Sequence, residues 1–315
     1  MKTTISKKLF AILSIFVLSL ALTACGSGEK KETSETAKGA TASGKEESKE
    51  ASQEDKGSEK KEENQKKPEE IKIGVVGEND EVWDDIAKRF QEGEGIKLKF
   101  VHFTEYSQPN EALASGDIDL NAFQHKIFLE NYIKESGHKL TIIGDTQLAP
   151  LGIYSRKIKD VKELKEGDKI AIPNDPTNGA RALFLLQTAG LIKVKGNPGE
   201  LITVDDVTEN SKKLEIISLD ASQTARALDD VTASCINNGV ATDAGFNPVK
   251  DSIFLEPVDE NSKPYINIIV SRPEDKDNPY FNKLVKKYYQ TPETKKIIDQ
   301  TSKGSSIAAW EGVSK

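Results

Sequence analysis

A stretch of 45 residues, 26–70, contains no Val, Ile, Leu, Met, Phe, Tyr or Trp, and this feature constrains the fold of the chain most strongly. Such a sequence cannot bury enough apolar surface to offset the entropy cost of ordering, so we expect a disordered linker that spans roughly 35–40 Å. A long charged helix is the alternative, although it would have no apolar face to pack. The folded part is therefore predicted to begin at Ile71.

An apolar run from Leu9 to Leu22 follows three lysines near the N-terminus. It is shorter than the roughly 20 residues of a membrane-spanning helix and indicates an export signal rather than a permanent transmembrane anchor.

The next residues, Leu22-Thr23-Ala24-Cys25, resemble the lipobox of bacterial lipoproteins. This resemblance implies removal of residues 1–24, a diacylglycerol on Cys25, and attachment to the outer face of the cell membrane through acyl chains such as palmitate. Ordinary secretory cleavage beside an unmodified cysteine is the alternative.

The net charge and the cysteine count exclude several classes of protein. Removal of residues 1–24 would leave a formal net charge of −10. Because phosphate repels an acidic protein, we do not expect a nucleic-acid partner. After lipidation, Cys235 would be the only free thiol, so an intramolecular disulfide is excluded. We expect a monomer without a metal or another cofactor.

Predicted strands alternate with helices in two successive units, which indicates an α/β fold with largely parallel sheets. In the first unit we predict strands at 71–76, 96–103, 118–121 and 140–143, and helices at 79–92 with Asn79 as N-cap, at 110–114 and at 126–135. In the second unit we predict strands at 169–173, 214–219 and 231–236, and helical segments at 161–164, 177–189 and 224–228. A strand at 265–270 and helices at 279–289 and 291–301 could complete the first unit. The predicted result is two lobes with a cleft between them, lobe 1 comprising residues 71–152 plus 255–315 and lobe 2 residues 153–254.

The segment 170–181 has the most informative chemistry, because a strand leads through a polar turn into a helix. Backbone N–H groups and the helix dipole make such an N-terminus attractive to an anion. Arg181 has a planar guanidinium fork that suits a carboxylate, and Asn178 can donate a further hydrogen bond. A capped helix with a solvated arginine is the alternative. The glycine pattern of a nucleotide-binding loop is missing, since Gly179 stands alone.

Further candidate residues lie where predicted strands end. Tyr106, Phe123, His125 and Phe128 gather aromatic rings that can contact a thioether sulfur favourably. A core cluster with a hydrogen-bonded His125 is the alternative. Asn237 follows a strand and could accept a hydrogen bond from an ammonium group, although Asn-Asn-Gly at 237–239 also favours a turn. Asn267 interrupts an apolar strand and weakly indicates a cleft.

Five segments resemble the methionine-binding lipoproteins of ABC importers, the MetQ/NlpA family. They are Tyr-Ser-Gln-Pro-Asn at 106–110, Gly-Asp-Ile-Asp at 116–119, Asn-Ala-Phe-Gln-His-Lys at 121–126, Ile-Pro-Asn-Asp-Pro-Thr-Asn-Gly-Ala-Arg-Ala-Leu at 172–183 and Ile-Asn-Asn at 236–238. The resemblance covers essentially residues 71–315. It implies an α/β, two-lobed, periplasmic-binding-protein-like (type II) fold that closes over free methionine and delivers it to permease and ATPase subunits.

The resemblance also implies roles for single residues. Arg181 would hold the ligand carboxylate beside Asn178, and Asn237 would meet the polar end of the ligand from the second lobe. The thioether chain would be enclosed by Tyr106, Phe123 and His125. Phe128 stands where the family pattern has a tyrosine, and the Asn238-Gly239-Val240 stretch also departs from that pattern. These two differences leave room for another side-chain preference.

Other functions stay open at this point. The ligand could be another small amino acid or a short peptide, and a surface adhesin or host-interaction lipoprotein would have the same lipid and linker. A hydrolase lacks its motifs, since neither His-Glu-x-x-His nor Gly-x-Ser-x-Gly is present. Cys235 with His125 could form a thiol–imidazole pair, but a buried strand residue is the simpler interpretation of Cys235. We therefore expect a binding protein and not an enzyme.

Overall fold

The computed structural model describes residues 66–78 and 80–312. The predicted export signal, the lipidation site Cys25 and linker residues 26–65 lie outside these residues, and so does the predicted helix cap Asn79. In the described part of the chain, no helix combines the length and the apolar character that crossing a membrane requires.

The first part of the chain alternates strands and helices. Its elements are β1 (Glu70–Val76), α1 (Glu81–Glu94), β2 (Lys97–Phe103), α2 (Gln108–Ser115), β3 (Leu120–Asn121), α3 (Lys126–Ser136), β4 (Thr141–Leu148) and β5 (Gly152–Tyr154). Helix α1 buries Trp83, Ile86 and Phe90, whose spacing places them on one face. Asp80 precedes α1 at the N-cap position.

The middle part forms the second group of elements. They are β6 (Lys169–Pro173), α4 (Pro176–Thr188), β7 (Lys193–Val194), β8 (Val207–Glu209), β9 (Glu215–Leu219), β10 (Ala233–Ile236), α5 (Asn238–Asp243), α6 (Pro248–Asp251) and β11 (Ser252–Leu255). Short 3₁₀ helices lie at Val161–Glu163, Val204–Asp206, Ala221–Gln223 and Arg226–Asp229. Helix α4 is buried over most of its length, from Thr177 to Leu186, which indicates a central position in this part of the fold.

The last part returns to the first group of strands. It contains a 3₁₀ helix (Glu260–Tyr265), β12 (Ile266–Ser271), a second 3₁₀ helix (Pro273–Asp275), α7 (Pro279–Lys283), a π-helix (Leu284–Tyr289), α8 (Pro292–Thr301) and β13 (Ile307–Ala308). Thr291 caps α8 by accepting a hydrogen bond from the Thr294 backbone N–H.

Two separate sheets divide the described chain into two lobes. The first lobe contains the six-stranded sheet in the order β13-β4-β12-β3-β1-β2, and the second lobe contains the five-stranded sheet in the order β11-β5-β10-β6-β9. The chain passes from the first sheet to the second between β4 and β5, and returns between β11 and β12. Apolar side chains form separate clusters around the two sheets.

The structure differs from the sequence prediction at several elements. Both sheets are mixed rather than largely parallel, because β12 runs antiparallel to β3 and β4, and β5 runs antiparallel to β10. The turn that was the alternative interpretation of Asn237 is not formed, because Asn237 is the N-cap of α5. The predicted helix at 279–289 changes from α to π geometry at Leu284. Strands β5, β7, β8, β11 and β13 were not predicted, since they have two to four residues each and are too short for a clear pattern.

Candidate functional site

A cavity of about 210 Å³ lies between the two lobes. All eight residues that the sequence indicated line this cavity: Tyr106, Phe123, His125, Phe128, Asn178, Arg181, Asn237 and Asn267. The first lobe contributes the aromatic residues, and the second contributes residues that follow β6 and β10. Ligands of α/β proteins bind at this edge of a sheet, beyond the carboxyl ends of its strands.

Three rings from the first lobe form what we call the aromatic cup: Tyr106, Phe123 and Phe128. The Phe128 ring meets the Phe123 ring edge-on at 5.8 Å between centroids and the Tyr106 ring at 6.2 Å. Edge-to-face contacts of this kind stabilise a ring cluster. Burial raises the pKa of the Tyr106 phenol, so its hydroxyl remains protonated and able to donate a hydrogen bond at neutral pH. The cup therefore offers a ring-lined wall with a single hydroxyl.

His125 is a neutral hydrogen-bonding residue at the start of α3. Its Nδ1 accepts a hydrogen bond from the Phe128 backbone N–H at 3.2 Å, so the ring proton resides on Nε2. Nε2 lies 3.4 Å from Oδ1 of Asn178, across the interface between the lobes. Burial, with the nearby positive charge of Arg181, lowers the pKa of His125 to about 3. The imidazole thus carries no charge in the cavity at neutral pH.

The N-terminus of α4 is capped by a carboxylate of the chain itself. Asp175 accepts hydrogen bonds from the Asn178 backbone N–H at 2.9 Å and from Asn178 Nδ2 at 3.1 and 3.0 Å. Of the two interpretations that the sequence left open, an anion site or a capped helix, the structure has the capped helix, although Arg181 is buried rather than solvated. An ionised carboxylate only accepts hydrogen bonds, so it fixes the Asn178 amide with Nδ2 toward Asp175 and Oδ1 toward His125.

Gly179 allows α4 to pack closely against the end of β6. A Cβ atom at this position would lie 2.9 Å from the Pro173 carbonyl oxygen, which is closer than real Cβ contacts. Glycine is therefore required by the close approach of helix and strand. The same approach sets the position of the neighbouring residues Asn178 and Arg181 relative to the cavity.

Asn237 presents an unpaired hydrogen-bond acceptor in the cavity wall. Its Nδ2 donates to Oδ1 of Asn178 at 2.7 Å. Its own Oδ1 is buried and has no hydrogen-bond partner among the described residues. An unpaired buried carbonyl is costly, roughly 1–3 kcal/mol, so this oxygen is suited to accept from a donor that enters the cavity.

Arg181 is buried, with only 4% of its side chain exposed, and its fork is already engaged. Nε donates to Glu256 Oε1 at 2.9 Å and Nη2 donates to Glu256 Oε2 at 2.5 Å. Nη2 also donates to the Ala149 carbonyl oxygen at 3.1 Å. The guanidinium carbon lies 4.3 Å from the centroid of the Tyr265 ring. Only Nη1 lacks a hydrogen-bond partner among the described residues, so an anion in the cavity would meet Nη1 and not the fork.

Asn267 joins the site through its backbone. It forms an isolated antiparallel bridge with His125, and the Ile268 N–H donates to the Gln124 carbonyl oxygen at 3.0 Å. Its side chain is half-buried at the cavity wall. Asn267, the polar residue within the otherwise apolar strand β12, therefore lies at the cleft.

Sequence reasoning missed three residues that position the site: Asp175, Glu256 and Tyr265. Asp175 had a usable signal, since an aspartate followed by proline is typical of a helix N-cap. Glu256 lies in the connection between β11 and β12, where no periodic pattern singles it out. Tyr265 was predicted as the first residue of a strand, but it ends a 3₁₀ helix just before β12. The mouth of the cavity also has two acids, Asp80 and Asp243, and burial raises the pKa of each.

Cys235 lies outside the cavity lining. It is fully buried in the apolar core of the second lobe, and burial raises the pKa of its thiol. A buried neutral thiol is a poor nucleophile, so no thiol–imidazole pair with His125 is formed.

Comparisons with known proteins identify the family. The family model of the NlpA lipoproteins matches residues 71–310. The D-methionine-binding lipoprotein MetQ of Escherichia coli (strain K12) is 42% identical over 251 residues, which cover 79% of this chain and 91% of that relative. A nutrient-binding protein from Burkholderia cenocepacia, solved bound to methionine, has 47% identity and a TM-score of 0.72 over 76% of this chain and 99% of that chain.

A third similar structure is the substrate-binding protein of a methionine transporter from Streptococcus pneumoniae. It has 43% identity and a TM-score of 0.72, over 76% of this chain and 96% of that chain. The two-lobed α/β fold predicted from the sequence is thereby confirmed. The match of the family model over most of the folded part, together with these identities, shows that the chain belongs to the NlpA lipoprotein family.

Proposed function

We propose that this protein is the methionine-binding component of an ABC importer, held on the extracytoplasmic face of the cell membrane by a lipid on Cys25. Residues 71–152 plus 255–315 would move as one lobe and residues 153–254 as the other. This proposal rests on two groups in the wall of the cavity that holds the aromatic cup: the donor Arg181 Nη1 and the buried acceptor Asn237 Oδ1. Neither has a hydrogen-bond partner among the residues that the structure describes.

An α-amino acid would satisfy both unpaired groups. Its carboxylate would accept from Arg181 Nη1, and its ammonium group would donate to Asn237 Oδ1. Transferring these two charges from water into a closed cavity is costly unless each is paired. A ligand that lacks either group would leave one protein atom unsatisfied, so both groups contribute to selectivity.

The side chain of the ligand would extend toward the aromatic cup. A thioether sulfur gains about 0.3–1.5 kcal/mol from an aromatic ring roughly 5 Å away. The flexible, unbranched methionine side chain can follow the irregular wall made by Tyr106, Phe123 and Phe128. His125 would border the same chain as a neutral ring, since its pKa is lowered to about 3.

Ligand contacts from both lobes would favour closure. The aromatic cup and His125 belong to the first lobe, while Asn178, Arg181 and Asn237 belong to the second. A ligand that touches both groups binds the closed form more tightly than an open form and shifts the population toward closure. The closed protein would then deliver methionine to the permease. No chemical step is required, so we propose a binding protein rather than an enzyme.

A thermal-shift panel of the common amino acids tests this function. Ligand binding to the folded state raises the melting temperature by mass action. We expect methionine to give the largest shift, and D-methionine is included to rank the two stereoisomers. The absence of a shift with every amino acid, measured at millimolar concentration, would refute the proposal and favour an adhesin.

A further inference from the structure

The ion pair between Arg181 and Glu256 is unusual for an arginine that is proposed to bind a ligand carboxylate. Glu256 takes both nitrogen atoms of the arginine fork, Nε and Nη2. In a simple carboxylate site the fork itself would receive the ligand. Here a carboxylate of the protein occupies that position, and among the described residues only Nη1 is left without a partner.

The backbone holds Glu256 rigidly. Its Oε2 also accepts a hydrogen bond from the Leu151 N–H at 3.0 Å, and its own N–H donates to the Leu151 carbonyl oxygen at 2.9 Å. Leu151 lies in the connection between β4 and β5, and Glu256 lies in the connection between β11 and β12. The two connections between the lobes are therefore joined at the point where Arg181 is held. Arg181 adds its own bond to the Ala149 carbonyl oxygen in the first connection.

The pair also sets the charge of the cavity. Among the described residues that line it, Arg181 is the only lysine or arginine. Glu256 is not part of this lining, but it lies directly against the Arg181 guanidinium and offsets its charge. His125 is neutral at physiological pH. Two carboxylates, Asp80 and Asp243, also line the cavity; Asp80 is paired with His102, and a third carboxylate, Asp175, lies behind Asn178. A net anion in this cavity would add to an existing excess of negative charge.

We propose that Glu256 is a positioning residue that makes the site selective for zwitterions over simple carboxylates. Glu256 holds Arg181 so that only Nη1 is available to a ligand. Its negative charge attracts the ammonium group of an amino acid and repels a ligand that has a carboxylate but no ammonium group. This inference rests on the proposed function, because it concerns how the same cavity selects its ligand class.

The test compares two ligands of the same shape and different charge. Methionine is a zwitterion, whereas its 2-hydroxy analogue has a hydroxyl in place of the ammonium group and is a net anion. Calorimetry gives the ratio of their dissociation constants for the wild type and for Glu256→Gln, which removes the charge and keeps the size. We expect Glu256→Gln to narrow the preference for methionine by about tenfold or more, because the ammonium group loses an attractive charge and the anion loses a repulsive one.

Control variants separate charge from general damage. Glu215→Gln alters an exposed glutamate on β9, in the five-stranded sheet that also contains β11. This variant should leave the ratio of the two dissociation constants unchanged. Glu256→Asp keeps the charge but shortens the side chain, so methionine should bind more weakly while the ratio stays near that of the wild type. If Glu256→Gln does not fold, the wild type still tests the inference, because equal affinities for methionine and its 2-hydroxy analogue would overturn it.

The outcomes distinguish the two proposals. If the wild type does not bind methionine, the proposed function fails. If the wild type binds methionine and folded Glu256→Gln keeps the wild-type ratio within about twofold, Glu256 supports the fold only and the inference is wrong. A ratio that narrows in Glu256→Asp as well would also overturn it, because the charge is still present in that variant.

Discussion

Asn237 donates a hydrogen bond to Asn178 across 2.7 Å, and this bond leaves the Asn237 carbonyl oxygen as a buried acceptor without a partner in the described part of the chain. The orientation originates at Asp175, which binds Nδ2 of Asn178 and so turns the Asn178 oxygen toward Asn237. Asp175 therefore orients the Asn178 amide, and Asn178 in turn orients the Asn237 amide. As a result, the Asn237 oxygen remains available as an acceptor in the cavity wall.

The first prediction concerns this acceptor. Asn237→Leu should weaken methionine binding by about tenfold to a hundredfold, because a hydrogen bond to a charged group contributes about 1.5–3 kcal/mol. Binding of 4-(methylthio)butanoate, which lacks the ammonium group, should change much less. Calorimetry with both ligands measures the difference, and the exposed residue Asn261 provides the control variant Asn261→Leu. Equal losses for both ligands would contradict the assignment.

The second prediction concerns the aromatic cup. Phe128→Leu keeps an apolar side chain but removes the ring that meets Phe123 and Tyr106. The preference for methionine over norleucine, which has a methylene in place of sulfur, should fall by about twofold to tenfold. Competition binding measures this preference. An unchanged preference would mean that the sulfur does not contact the cup.

The third prediction concerns His125 and pH. Burial holds the folded-state pKa of His125 at about 3, below the ordinary value of 6.5, so the unfolded chain binds the proton more readily. The stability that the neutral ring provides is complete above pH 6.5 and is lost as the pH falls toward 3. The slope should approach about 1.4 kcal/mol per pH unit in that window.

Urea unfolding of the wild type and of His125→Asn measures this slope. Asparagine can still cap α3 by accepting from the Phe128 N–H, but it does not titrate. The wild type should lose stability relative to the variant between pH 6.5 and 4. His138→Asn, at a histidine whose side chain is 46% exposed, should follow the wild type. Parallel curves for His125→Asn and the wild type would show that His125 is not buried as a neutral ring.

The fourth prediction concerns the approach of α4 to β6. Gly179→Ala would place a Cβ 2.9 Å from the Pro173 carbonyl oxygen, so the helix must shift and carry Asn178 and Arg181 with it. We expect a lower melting temperature and weaker methionine binding. Gly239→Ala is the matched control for stability, since no atom of residues 66–78 or 80–312 lies within 4 Å of the added Cβ. Unchanged stability in Gly179→Ala would show that the helix has room to adjust.

The sequence predicted the elements with long apolar patterns and the residues of specific motifs. Strand β6 has the predicted bounds, and all eight predicted site residues line one cavity, although their roles in binding stay predictions. The hydrogen-bond partners of those residues were not predictable. Glu256 meets Arg181 from a position 75 residues away, in a connection without periodicity. Such a contact depends on tertiary packing rather than on local pattern.

The same limit applies to the turn that the sequence left open as an alternative at Asn237. The Asn-Asn-Gly sequence favours a turn, yet the buried residues Asn238 and Ala241 allow a short helix to pack against the second lobe. Tertiary burial therefore outweighed the local turn preference. Likewise the sequence left open whether the N-terminus of α4 binds an anion or is capped, and Asp175 caps it.

The fifth prediction is the most direct test of the central claim that Arg181 anchors a ligand carboxylate in the cavity. Arg181→Lys keeps a positive charge near Glu256 but removes Nη1, so it is less disruptive than Arg181→Ala, which would leave Glu256 unpaired. Calorimetric titration of methionine should show binding weakened by at least about tenfold in Arg181→Lys, and wild-type affinity in Arg226→Lys, where the arginine is exposed. Wild-type methionine affinity in a folded Arg181→Lys variant would contradict the claim.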